Sequence, residues 1–350
     1  MTFTKILEND QDLWDLFTRK EEYKCERVDN HDRFSYSFSK NREILSPKCS
    51  EYLLQNGLKV EYPGNKKFAV CLTHDIDNLL NSRIYRYLNS LRLIKKRQLK
   101  EAFTKIIKKN REKFETIMKL EEKYRMSSTF YVMTTTKHLY YKPYDIRDIK
   151  NELIYLEENG WEVGVHGGYY SYLNYDYLKT EKQRLEDILG KSVEGHRSHY
   201  LRLKVPETWE LLAKAGFNYD STLGYDDTVG FRNGMCHPFK PFNLEKGCEI
   251  DIIELPLVVM DKVIFLPSKL GLGLEQGWQI CKKLIDTTRI LNGVITFVWH
   301  YEVFDETFFP GWDKIYEKIL SYSTNKNAWL TNASKLCNFW KQNVLSQDKK

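Results

Sequence analysis

The run Cys71–Asp77 reads CLTHDID, an apolar stretch ending in His74, Asp75, Ile76 and Asp77. Two carboxylates and an imidazole stand where a core strand would place carbon, which costs desolvation free energy unless a cation or hydrogen bonds offset it. Residues two apart share a face of a strand, so Asp75 and Asp77 point together and His74 points the other way. Further along, WEVGVH ends in His166, KSVEGHRSHY carries His196, Arg197 and His199, the next segment carries Asp220, and VITFVWH ends in His300. Five of the 8 histidines (74, 166, 196, 199 and 300) thus close apolar or β-branched runs, the others being His31, His138 and His237. Paired carboxylates raise each other's proton affinity unless a cation lies near, and a divalent ion or Arg197 would settle the charge. One Asp with two His around an ion suits zinc or a similar first-row metal and leaves a coordination position for water.

Gathering residues so far apart in sequence requires a particular scaffold. From Phe68 onward, short apolar or β-branched runs (FAVCLT, STFYVM, WEVGVH, KSVEGHR, YDSTLG, DIIELPLVVM, VITFVWH) alternate with helical patterns such as IRDIKNELIYLEENG and LEQGWQICKKLIDTTRILNG. Strand–helix alternation predicts a parallel sheet with helical crossovers. The expected fold class is α/β: a distorted (β/α)7-type barrel over residues 67–345, with a small N-terminal extension of unassigned role at 1–66, ending in the turn-rich YPGNKK. In such a barrel the strands' C-terminal ends converge on one face, which would bring these side chains together.

At 42% hydrophobic and 14% aromatic residues over 350 positions, the composition is that of a folded globular chain. Seven scattered cysteines with no C-x-x-C pair argue against a disulfide framework or a cysteine-based zinc site and suit a reducing compartment. The polar, acidic start resembles no secretory signal, and no apolar run reaches the length of a membrane span, so a cytoplasmic location without a transmembrane segment is expected. The net charge of +6 is concentrated in 92–125 (RLIKKRQLKEAFTKIIKKNREKFETIMKLEEKYR), a basic amphipathic helical pattern. It reads either as a solvated helix face or as a patch attracting phosphate-bearing substrates or an anionic lipid surface, a peripheral membrane contact. No nucleic-acid-binding signature accompanies it.

The ordered segments THDID, VHGGYYS, HRSHY, DSTLGYDD and FVWH, over about residues 67 to 340, resemble the polysaccharide deacetylases of carbohydrate esterase family 4, in particular a divergent branch associated with bacterial surface-polysaccharide genes. The resemblance implies a distorted β/α barrel and metal-dependent removal of an N- or O-acetyl group from a sugar. It makes Asp75 the general base. Ile76 stands where the family has a metal-binding Asp, with Asp77 as the shifted substitute. His166 matches the first histidine of H-S/T-x-x-H, but Tyr170 occupies the position of the second. His199, at the proline position of R-x-P-Y, is the expected replacement ligand, and Arg197 and Tyr200 keep the other two positions of that motif. Asp220 corresponds to the acidic residue of the fourth motif, and His300 to the histidine of L-x-H, with Val298 in place of Leu.

These roles predict a divalent cation, zinc foremost, at Asp77, His166 and His199, Asp75 held ionised by Arg197, a Tyr200 backbone N–H for the oxyanion, and His300 as the acid for the leaving group. A low-titrating base and a higher-titrating acid imply a bell-shaped pH–rate profile. Asp220 joins the expected catalytic set, and Tyr170, Tyr200 and Trp299 are the expected sugar contacts. Each of these aromatics also fits ordinary core or rim packing. The expected partner is an acetylated sugar or glycan, nucleotide-linked, lipid-linked or oligomeric. Two rivals stand beside this: a sugar-binding barrel that has lost its metal and its catalysis, and a D-x-D glycosyltransferase or phosphatase. The second leaves His166, His199 and His300 unexplained.

Overall fold

The computed structural model describes residues 3–79, 110–139 and 143–345. Most of the basic 92–125 pattern therefore lies outside the described residues, and its tail forms a helix at Asn110–Glu122. The strands are β1 (Phe68–Ile76), β2 (Thr129–Met133), β3 (Glu162–Gly167), β4 (Gly195–Ser198), β5 (Tyr219–Asp220), β6 (Phe242–Asn243), β7 (Cys248–Glu249), β8 (Ile253–Glu254), β9 (Leu257–Met260), β10 (Val294–Val298) and β11 (Ala328–Thr331). The helices are α1 (Phe3–Leu7), α2 (Gln11–Phe17), α3 (Lys48–Gln55), α4 (Asn110–Glu122), α5 (Lys150–Glu158), α6 (Tyr175–Leu189), α7 (Glu207–Lys214), α8 (Asp261–Phe265), α9 (Leu274–Ile290), α10 (Trp312–Asn325) and α11 (Ala333–Asn343).

The main sheet runs β8-β5-β4-β3-β2-β1-β10-β9, all parallel, with β11 beside β1. Its two end strands, β8 and β9, are separated in sequence only by Leu255 and Pro256, so the sheet must curl until its edges nearly meet. Counting β8 and β9 as one interrupted strand gives the seven positions of the expected barrel. All nine residues of β1 are buried, as an apolar strand covered on both faces requires. β11 was not foreseen: it pairs with Phe68–Cys71 below the point where β2 takes over at Thr73–Ile76.

Helix chemistry follows the sequence. α9 buries Trp278, Cys281, Ile285 and Thr288, a stripe at three- and four-residue spacing. Asn174 caps α6 by accepting from the Tyr177 N–H, and Gly190 ends it at φ 68°, where a side chain would be strained.

Residues 3–66, the N-terminal extension, pack into the same core as the barrel. Phe3, Ile6, Leu7, Trp14, Phe17, Cys49 and Leu53 belong to one apolar cluster with barrel residues. Trp14 packs edge-on against Phe242 and Phe17 against Phe239. A buried ion cluster locks the join. Glu22 accepts from Arg19 Nε at 2.7 Å and from Arg232 Nη2 at 2.6 Å, while Arg19 Nη1 donates to the Arg232 carbonyl at 2.7 Å. Burial pushes the Glu22 carboxyl up, but Arg232 and then Arg19 outweigh it and hold the group below its ordinary range.

Glu22→Ala strands the buried Arg232 guanidinium and leaves Arg19 with Glu21 as its carboxylate, 2.8 Å away, so it is expected to cost about 3–5 kcal/mol in denaturant unfolding. Because the folded-state value is depressed, Glu22's contribution is fully present above its unfolded value of about 4.3 and is lost as pH falls through the lower folded value. The wild type should therefore lose stability in acid more steeply than the variant.

Candidate active site

Asp75 stands near the end of β1 with Asp77 just past it, His166 lies on β3, Arg197 on β4 with His199 just past it, and His300 follows β10. The parallel topology places these ends on one face, where they line a cavity of about 360 Å³. Strand alternation sorts the neighbours. His74 points away from the cavity, its Nε2 2.8 Å from Glu121 and its Nδ1 2.6 Å from the Trp299 carbonyl oxygen. His196 also faces away, with Nδ1 2.9 Å from Asp220.

At the cavity floor, His166 Nε2 is 3.1 Å from Asp77 Oδ1 and 3.0 Å from His199 Nδ1, and His199 Nδ1 is 3.3 Å from the same carboxylate oxygen. Three ligand atoms so spaced fit around one ion with bonds of about 2.0–2.2 Å. The protonation pattern fits as well. His166 Nδ1 lies 3.0 Å from the Arg197 carbonyl, which accepts its N–H and leaves the Nε2 lone pair facing the other two ligands. Burial pushes His199 down to about 4, so its ring is neutral at neutral pH. Burial alone would raise Asp77, but Lys262, His199 and hydrogen bonds from both rings hold it well below the usual carboxylate range.

On one side of this cluster, Asp75 Oδ1 accepts from Arg197 Nη1 at 2.9 Å, while Oδ2 lies 3.9 Å from His166 Nε2. Arg197 is fully buried and fixed by the Ser221 carbonyl and hydroxyl and by Thr73 Oγ1, with its Cζ 4.5 Å from the Tyr131 ring centroid. Burial disfavours the Asp75 anion, yet Arg197 foremost, with His166 and His300, depresses its pKa.

On the other side, His300 Nδ1 lies 2.6 Å from Asp261 Oδ1, and its backbone N–H donates to Asp261 Oδ2 at 2.6 Å. Burial opposes the charged ring, but Asp261 prevails and raises its pKa to about 9. His300 Nε2 faces inward, 3.6 Å from Asp77 Oδ2. Lys262 donates to that same oxygen at 2.7 Å and pairs with Glu302 at 2.6 Å.

Several expected residues lie elsewhere. Asp220 is fully buried outside the cavity lining, bonded to His196 and Thr222, because its position on β5 turns the carboxylate away from the Asp77–His166–His199 cluster. The carboxylate that holds His300 is Asp261. Trp299 is buried between Phe265 and Tyr316 and donates to the Trp312 carbonyl, so it offers no face to a sugar. Tyr170 is 42% exposed but does not line the cavity, whereas Tyr200 does. In the loop after β5, for which no role was expected above, Phe231 and Arg232 are buried, Arg232 in the join with the N-terminal segment, while Asp226 reaches the cavity. Asp261, Lys262, Glu302, His31 and Arg33 were missed. A signal for the first two was present: LPLVVMDK ends an apolar strand in charges just as CLTHDID does.

Among solved structures, a protein assigned as a polysaccharide deacetylase from Mycobacterium smegmatis superposes with a TM-score of 0.56 at 18% identity, over 83% of this chain and 94% of that one. The fold is that of the polysaccharide deacetylases. Puue allantoinase aligns at TM-score 0.56 and 13% identity, over 91% of this chain and 99% of its own. A protein assigned as a polysaccharide deacetylase from Pseudomonas aeruginosa PAO1 gives 0.55 and 13%, over 89% and 98%. No family model matches the sequence, and no curated protein matches it. No helix among the described residues is long and apolar enough to cross a membrane.

Proposed function

We propose that the chain is a metal-dependent hydrolase that removes an acetyl group from a sugar or glycan intermediate. One observation carries this: within one cavity, the Asp77–His166–His199 cluster stands between an arginine-held carboxylate and a carboxylate-held imidazole. A divalent ion, zinc foremost, held by Asp77, His166 and His199 would supply Lewis acidity to the acyl oxygen and make water a stronger nucleophile at neutral pH.

The chain's own groups divide the proton work. Arg197 fixes Asp75 Oδ1, so Oδ2 is the oxygen free to take a proton from attacking water. Asp261 holds the His300 Nδ1–H, so the protonated ring presents Nε2–H to the departing amine or alkoxide. The Tyr200 backbone N–H is the proposed donor to the oxyanion. The substrate is an acetylated sugar, free, nucleotide-linked, lipid-linked or within a glycan. A cytoplasmic biosynthetic step and a contact of the basic 92–125 segment with anionic lipid belong to the same proposal.

The pH profile follows from the two shifts. Activity should rise at acid pH as Asp75 ionises, below the ordinary carboxylate range, and fall near pH 9 as His300 loses its proton. Asp261→Asn removes the anion that favours imidazolium, so the alkaline limb should move to lower pH. A limb that stays in place would remove His300 from the acid role. The proposal as a whole is tested by mass spectrometry of N- and O-acetyl sugars incubated with zinc-loaded protein. Loss of one acetyl mass is expected; no loss from any of the nucleotide-linked, lipid-linked and free sugars would contradict it.

A further inference from the structure

The turn carrying His199 is held from outside the barrel. Tyr200 and Leu201 adopt φ 61° and φ 52°, a left-handed conformation that side chains rarely take twice in succession and that persists only where neighbours impose it. Three consecutive residues of the N-terminal segment supply those neighbours. His31 Nδ1 lies 3.0 Å from the Tyr169 hydroxyl, and its ring centroid is 4.7 Å from that of Tyr200. Asp32 accepts from Arg202 Nη2 at 2.5 Å and from the Tyr172 hydroxyl at 3.3 Å. Arg33 Nη1 donates to the Tyr200 carbonyl at 2.9 Å, while Nη2 lies 2.7 Å from both Asp29 and Asp226. Asp226 is paired in turn with Lys269. The Arg33 side chain is 9% exposed, and with His31 it lines the cavity.

We infer that residues 31–33 form a clasp that sets the position of the His199 ligand, with Arg33 as the principal positioning residue. Arg33 acts through the Tyr200 carbonyl, one peptide from the His199 side chain, and ties that peptide to its own loop through Asp29 and to the β5–β6 loop through Asp226. Lysine cannot replace it, because one ammonium lacks the planar fork that reaches a carbonyl and two carboxylates at once. The N-terminal segment is thereby a working part of the active centre, although it supplies no metal ligand. The metal-affinity consequence rests on the proposed ion site; the positional consequence does not.

The test therefore uses two readouts on the full-length chain. Zinc affinity is measured by chelator competition, and amide exchange at residues 199–202 is followed in metal-free protein. In Arg33→Ala, zinc affinity should fall about 10–100-fold, the loss typical of removing a partner that orients a ligand. Exchange at 199–202 should accelerate about tenfold, as expected for loss of a hydrogen bond from a charged donor. Arg33→Lys should not restore either value. Asp32→Asn, which keeps an oxygen to accept from Arg202 but removes the charge from a side chain that is 62% exposed, and Asp32→Ala, which removes the acceptor altogether, should move both in the same direction by a smaller factor. A folded Arg33→Ala protein with wild-type zinc affinity and wild-type exchange would overturn the clasp, as would an unaltered Asp32→Ala if Arg33→Ala fails to fold. If wild-type protein binds no zinc, the proposed function falls, and exchange alone decides the clasp.

Discussion

Asp75→Asn is expected to lower kcat by about 10²–10⁴-fold while leaving zinc affinity almost unchanged. The amide keeps the carboxylate's shape and one oxygen can still accept from Arg197, so the barrel face is preserved. What it cannot do is take a proton. Asp75 sits beside the ligand cluster rather than in it: Oδ1 is committed to Arg197, and Oδ2 lies 3.9 Å from His166 Nε2. Removal of the charge also leaves the buried Arg197 without its counter-charge, though still hydrogen-bonded to Thr73 and Ser221, so a loss of thermal stability accompanies the loss of rate. Steady-state kinetics and metal titration on one preparation separate the two effects. If Asp75→Asn lost its zinc, Asp75 would be a ligand; if it kept its rate, Asp75 would not be the base.

His199→Ala is expected to weaken zinc binding by more than the roughly 10–100-fold typical of losing an outer partner, and to remove activity with it. The ring nitrogen that it deletes lies 3.0 Å from His166 Nε2 and 3.3 Å from Asp77 Oδ1, leaving only two of three converging ligand atoms. Folding should survive, because a neutral buried imidazole is removed and no buried charge is stranded: Asp77 keeps Lys262 at 2.7 Å. Metal analysis after dialysis against micromolar zinc reads the result. Retention of one zinc per chain in His199→Ala would assign the missing histidine of the second motif to another residue.

Much of this was legible because parallel sheets bury their strands on both faces, so an apolar run that ends in charge marks a strand terminus. That rule located Asp75, Asp77, His166, His199 and His300, and period-two alternation separated Asp75 and Asp77 from His74, which turns to Glu121. The same rule, applied to LPLVVMDK, would have found Asp261 and Lys262; Asp220 was expected in the catalytic set because it stands at a predicted strand end and DSTLGYDD resembles a family motif. On β5, a strand of two residues, motif order does not fix which face a carboxylate takes. Of the expected aromatic contacts, Tyr200 lines the cavity, while Tyr170 and Trp299 lie outside its lining. Trp299 and Tyr200 look alike in sequence, and only the packing of Phe265 and Tyr316 around Trp299 takes it out of reach of a ligand. His31 and Arg33 carried no readable signal, since their partners at Tyr169, Tyr200 and Asp226 lie more than a hundred positions away, brought near by the closure of the barrel.

The most direct measurement is anomalous diffraction at the zinc absorption edge from crystals of the zinc-loaded chain. One strong peak within about 2.0–2.2 Å of an Asp77 carboxylate oxygen, His166 Nε2 and His199 Nδ1 is the expected result. A fully loaded crystal whose zinc lies elsewhere, or a cavity that takes up no ion at millimolar zinc, would contradict it.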